Sequence, residues 1–215
     1  MEMNKNSLDL LLVPFSIFIN ASYHFYLWHS SKSKKPKTSV GANLVSKRVW
    51  FQSIMQADSN KAVIGVQTFR NSLMSTILFA SISITINAAL ASFANNLYTS
   101  SHLFAGHPTF GSQMEAILVL KYSSVSMFML LSFLFNSMAA GFIIEANFLI
   151  CLNEGEAFMA HAEEMMMKGV VLGVVGNRVL YVGLSLLVWM VGPLAFGLCT
   201  VGMLWGFYTL DFSVT

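Results

Sequence analysis

Ser30-Ser31-Lys32-Ser33-Lys34-Lys35-Pro36-Lys37-Thr38 lies between two strongly apolar segments. Followed on to Arg70, this stretch holds eight Lys or Arg residues and one acid, Asp58. Short loops rich in Lys and Arg stay on the cytoplasmic side of a membrane. The stretch therefore reads as a cytoplasmic connector in a polytopic membrane protein. The composition agrees: 55% of the 215 residues are hydrophobic and 10% are charged, where a soluble domain carries roughly 25% charged residues.

Working outward, Leu8 to Trp28 is apolar and closes on Tyr23, His24, Tyr26, Trp28 and His29, an aromatic belt. It lacks a clear small-residue cleavage site and reads as a retained span rather than a signal peptide. After the connector, Val45 to Met55 mixes Val45, Val49, Phe51 and Ile54 with Lys47, Arg48 and Gln52, which predicts a short amphipathic helix at the interface or against the bundle. Residues 29–58 thus form a basic cytoplasmic loop. Its lysines serve as a topology signal, or as a contact for anionic lipid.

Asp58-Ser59-Asn60 is a helix start, and no breaker follows until Asn95-Asn96. The second helix is longer than a bilayer needs, and its membrane part is about 72–95. Residues 96–113 contain no Lys or Arg and read as the opposite loop; His102 and His107 there read as surface residues rather than a metal site or pH sensor. A third helix spans about 116–143 and runs on to Leu152. Residues 153–168, with Glu154, Glu156, Glu163 and Glu164, read as an acidic cytoplasmic loop with a helical piece from Ala157 to Met167. A fourth span covers about 179–207. Gly192-Pro193 kinks it, because proline removes an intrahelical hydrogen bond. Two spans divided there are the alternative, but Leu194, Ala195 and Phe196 offer no polar turn. Four spans place both ends outside the cytoplasm. The expected fold is all-α: a single membrane domain of four transmembrane helices with long cytoplasmic extensions, assembled as a homo-oligomer.

Polar residues within the spans carry the functional reading. Asn71, Ser75, Thr85, Ser92 and Asn96 repeat at helical spacing, with Leu78, Ile82 and Ala89 between them. Together with Glu115, Asn136 and Glu145 they are candidates for a water-facing pore wall, where hydroxyls and amides replace ion hydration and acids favour cations. Helix packing explains such stripes equally well, since small residues let backbones approach in lipid. Arg70, Glu145 and Arg178 all map to the cytoplasmic border. They read as a structural cluster in which one carboxylate ties two guanidinium groups together, or else Glu145 faces the ion path. Cys151 and Cys199 suit two small buried side chains, with no metal-ligand spacing. No hydrolase, metalloprotease, P-loop or Cys-x-x-Cys motif is present, so neither an enzyme, a cofactor, a metal nor nucleic-acid binding is expected.

Several motifs resemble a plant membrane family known as domain of unknown function 599. They are Leu12-Val13-Pro14, Tyr23-His24, Leu27-Trp28-His29, Gly41-Ala42-Asn43, Lys47-Arg48-Val49-Trp50, Val66-Gln67-Thr68-Phe69-Arg70-Asn71, Val175-Gly176-Asn177-Arg178-Val179-Leu180-Tyr181, Leu187-Val188-Trp189, Gly192-Pro193 and Leu210-Asp211-Phe212. The resemblance covers nearly the whole chain. Length and sequence also look like one member, a crucifer immunity protein. That likeness implies a homopentamer around a central pore, in the endoplasmic reticulum, passing cations including calcium. A small-solute transporter and a membrane scaffold without transport stand as the competing readings. The absence of an internal repeat counts against the transporter.

Overall fold

The computed structural model describes residues 5–31, 38–55, 59–99, 115–152 and 156–212. Among them are six helices: α1 (Lys5–Ser31), α2 (Ser39–Met55), α3 (Ser59–Thr99), α4 (Glu115–Leu152), α5 (Glu156–Val188) and α6 (Pro193–Asp211). Four of these, α3, α4, α5 and α6, are long and apolar enough to cross a membrane. α3 and α4 hold the second and third of the spans that the sequence predicts, whereas α5 and α6 divide the fourth and α1 is not among the four.

The difference arises at both ends of the chain. The helical piece expected from Ala157 to Met167 is not set in a separate loop but is the first part of one continuous 33-residue helix, α5. Glycine costs about 1 kcal/mol in a helix interior, yet Gly169 and Gly176 lie within it because they let α4 come close. A Cβ on Gly169 would sit 3.1 Å from the Ala139 carbonyl oxygen, and one on Gly176 would sit 2.5 Å from Asn136 Nδ2. The expected kinked fourth span is instead two helices, α5 and α6, joined by a turn over Trp189–Gly192. No polar side chain is needed there. Trp189, Met190 and Val191 donate their amides to Leu186, Leu187 and Val188, and the Trp189 indole donates to Asp9. Pro193 then opens α6, where its missing N–H costs nothing.

Contacts fix the directions. Along α1, Asp9 meets Trp189, Leu12 packs on Gly197 and Tyr23 meets Asp211. α1 therefore runs parallel to α6 and shares its depth. Ser39, at the start of α2, donates to the Leu210 carbonyl at the end of α6. The bundle thus has a turn end (Asp9, Lys121, Trp189) and a basic-loop end (α2 and the last residues of α6). Asp9 and Asp211 lie at opposite ends of the bundle, because α5 and α6 form an antiparallel pair where one kinked span was expected.

At 1.5 Å per residue α3, α4 and α5 are about 60, 57 and 50 Å long, against roughly 30 Å of hydrocarbon. The surplus forms a second layer. One core, at the turn end, gathers Val13, Leu90, Val125, Met129, Leu180, Leu186, Trp189 and Phe196. The other, at the basic-loop end, gathers Phe51, Phe69, Ile143, Ala146, Leu149, Ala162 and Met166. α2 supplies Phe51 and Ile54 to this second layer; Ile54 lies over Gly65 of α3. Of the two placements that the sequence left open for α2, the structure shows the one against the bundle. The helix starts earlier than expected because Thr38 caps it, its hydroxyl accepting from Gly41 N at 3.2 Å.

The glycine contacts give a direct test. Gly169→Ala and Gly176→Ala are expected to cost about 1–3 kcal/mol, as overpacking does, because the new methyl would press on the buried Ile143 and Asn136 side chains, with the α4 backbone close behind them. Gly202→Ala, with nothing within 4 Å, is expected to be neutral. Thermal unfolding of the purified variants in detergent separates the two classes.

Candidate functional site

Ser83 of α3 and Ser132 of α4 share a hydrogen bond of 2.8 Å, fully buried, and Ser132 donates to the Gly176 carbonyl at 2.9 Å. Asn136 donates to the Ser132 carbonyl at 3.0 Å and is itself 0% exposed. This polar level lies between the two cores and joins α3, α4 and α5. Ser and Asn hydrogen-bond across helices in lipid in this way. Asn136 is therefore part of the helix glue and not of a pore wall. Helical periodicity puts Ser132 and Asn136 on a different α4 face from Ser123, Ser137 and Glu145, and these three are exposed.

The other candidates on α3 behave differently. Asn71, Ser75, Thr85, Ser92 and Asn96 are all exposed, as are Leu78 and Ala89, with Ile82 half-buried. Ile77 and Ile84 are exposed on an adjoining, apolar face of the same helix. The protomer thus leaves a polar, small-residue stripe uncovered along about 37 Å of α3, from Asn71 to Asn96. Glu115 opens α4, and its side chain lies outside the described residues, as do His102 and His107.

The expected cluster of Arg70, Glu145 and Arg178 is not formed. Arg178 is bound to Asp211 of α6 in an ion pair, with Tyr23 of α1 donating to the other carboxylate oxygen at 2.6 Å. Its guanidinium also lies 4.4 Å from the centre of the Phe207 ring. The reason is depth. Gly169 packs on Ile143 and Gly176 on Asn136, a register that sets Met167 opposite Glu145 and Arg178 opposite Leu134. Arg178 is therefore eleven residues from the level of Glu145, about 16 Å. Arg70 and Glu145 do share a depth, because Ser83 faces Ser132 and each lies thirteen residues further along. Both are exposed, and no ion pair joins them among the described residues.

At the turn end a second buried charge pair ties α1 to α4. Lys121 Nζ lies 3.9 Å from Asp9 and 5.5 Å from the centre of the Trp189 ring, and Asp9 accepts the Trp189 indole N–H at 2.8 Å. A four-span topology would put Asp9, Lys121 and Asp211 at one face; Asp9 and Lys121 do meet. Asp211 belongs at the other end, and its signal was the acid closing a helix that opens on Gly192-Pro193. Among the described residues no group of three His, Cys, Asp or Glu could hold a metal ion.

Residues 11–215 match the model of a family described as "Protein of unknown function, DUF599". The chain belongs to that family. No curated protein and no solved structure matches it. For this DUF599 chain the geometry must therefore carry the functional argument: two buried charge pairs and a buried hydroxyl–amide level close the protomer's own polar residues inside it, and the α3 stripe is left facing outward.

Proposed function

We propose that the protein is a cation-selective, calcium-permeable channel, formed by a homo-oligomeric ring with the pore between copies rather than within one. The observation that carries this reading is the exposed stripe of Asn71, Ser75, Thr85, Ser92 and Asn96 on α3. Hydroxyls and amides facing hydrocarbon gain nothing, whereas facing a water-filled axis they can replace ion hydration. A ring of copies brings the same stripe to a common axis, since rotation closes a heterologous interface. Leu78 and Ile82 then narrow the path as apolar constrictions. A ring of five, calcium among the permeant ions, the endoplasmic reticulum and a role in plant defence all rest on the sequence resemblance.

The basic-loop end is the cytoplasmic end by its Lys and Arg content, which puts α2 and the end of α6 in the cytosol and Asp9 toward the lumen. The reading is tested by reconstituting the purified protein into planar bilayers with a salt gradient. Unitary currents reversing near the cation equilibrium potential are expected. Silence across voltage and calcium contradicts the channel. Saturable uptake in its place indicates a transporter, and no flux of either kind leaves a membrane scaffold.

A further inference from the structure

Arg70 and Glu145 have the properties of two halves of one contact. They carry opposite charge, both are exposed, and neither has an ion-pair partner among the described residues. The α3–α4 register puts them at one depth. Each also sits on an apolar surface that its own protomer leaves bare. Val66 and Ile77, on the Arg70 side of α3, are 41% and 45% exposed; Ile144 and Phe148, beside Glu145 on α4, are 54% and 59% exposed. Gly141, one turn from Glu145, is exposed and has open space around its Cβ position, so a neighbouring helix can come close there.

We infer that Arg70 of one copy pairs with Glu145 of the next, so that the Arg70 face of α3 docks on the exposed face of α4 of a second copy of this chain. The inference rests on the ring reading and specifies its interface. Rotation about an axis along the bundle preserves height. Across such an interface only residues at equal depth can meet. Arg70 and Glu145 satisfy that condition, and so do Ile77 with Met138 and Val66 with Phe148, each within about one residue. Arg70 points about 100° around α3 from Asn71, as adjacent residues do on a helix of 3.6 residues per turn. One helix can thus give its polar stripe to the axis and its Arg70 face to the neighbour. A charge pair enclosed by apolar side chains also rejects misaligned copies, because a slip along the axis leaves both charges unpaired.

The test is a charge-reversal cycle on the full chain, read by oligomer mass in detergent, with circular dichroism as the check that each protomer is folded. Arg70→Glu and Glu145→Arg are each expected to shift the population from ring to smaller species by at least tenfold, and the double exchange Arg70→Glu with Glu145→Arg to restore the ring. Arg70→Cys with Glu145→Cys, in a background lacking Cys151 and Cys199, is expected to give an oxidation ladder of linked copies. Intact rings in both folded single variants overturn the inference, as does a double exchange that stays dispersed. If a single variant fails to fold, the cysteine pair decides: a ladder supports the contact and its absence overturns it. Rings joined at these residues without ionic current would remove the channel and leave the interface. Current from rings indifferent to both reversals would do the opposite.

Discussion

Arg178→Met is expected to lower the stability of the folded chain by about 3–5 kcal/mol, the usual cost of removing one partner of a buried ion pair. The argument is local. Asp211 is 3% exposed, and its two oxygens are bound by Arg178 and by the Tyr23 hydroxyl. Without Arg178 the carboxylate keeps one neutral donor in an apolar surround. It then either stays charged and poorly solvated or takes up a proton, and each route costs free energy. The pair also joins α5 to the end of α6, where Tyr23 of α1 is bound as well. Replacing both members, Arg178→Met with Asp211→Leu, is expected to recover most of the loss, since a buried pair exchanged for apolar residues is often neutral. Thermal unfolding in detergent measures this: a single-variant midpoint lower by roughly 10 °C, with the double variant close to wild type. Equal midpoints for the two variants would contradict the role given to the pair.

The second large effect is expected on conduction and not on stability. Ser75→Leu, Thr85→Leu and Ser92→Leu combined change three side chains exposed on α3. Exposed substitutions away from special features lie within about 0.5 kcal/mol, so the protomer is expected to fold and to melt as before. If the stripe lines the pore, three apolar side chains per copy make the path hydrophobic, and such constrictions close by dewetting. Cation current is expected to fall at least tenfold. Ile84→Leu, on the adjoining apolar face of α3, is the control and is expected to conduct normally. A tenfold loss in both variants would point to disturbed assembly in place of a blocked path.

Much of this architecture is legible in the chain because the relevant signals are local. Asp58-Ser59-Asn60 announces α3, and the described helix begins at Ser59. The lack of breakers from there predicts a helix that outruns the bilayer, as α3 does. Asn136 and Ser132 separate from the Ser123, Ser137 and Glu145 face by helical periodicity alone, although periodicity does not tell which face turns inward. The turn between α5 and α6 was hidden because its solution is backbone chemistry. Three amides bonded three residues back and one indole on Asp9 remove the need for the polar residues by which turns are recognised. The helical piece from Ala157 to Met167 is legible, but its continuity with the span beyond Gly169 is not, because four acids in residues 153–168 resemble a loop, while Ala162 and Met166 at helical spacing face the second core. Arg178 was assigned the wrong partner because border position was inferred from charge. Its depth is set by the glycine register between α4 and α5.

The central claim is that the α3 stripe faces water inside an assembly. Thr85→Cys, in a background lacking Cys151 and Cys199, tests it most directly when a charged, membrane-impermeant thiol reagent is applied to channels recorded in a planar bilayer. The account predicts currents that the reagent reduces in steps and that a reducing agent restores. Currents indifferent to the reagent at Thr85, or no current from correctly folded protein, would contradict it.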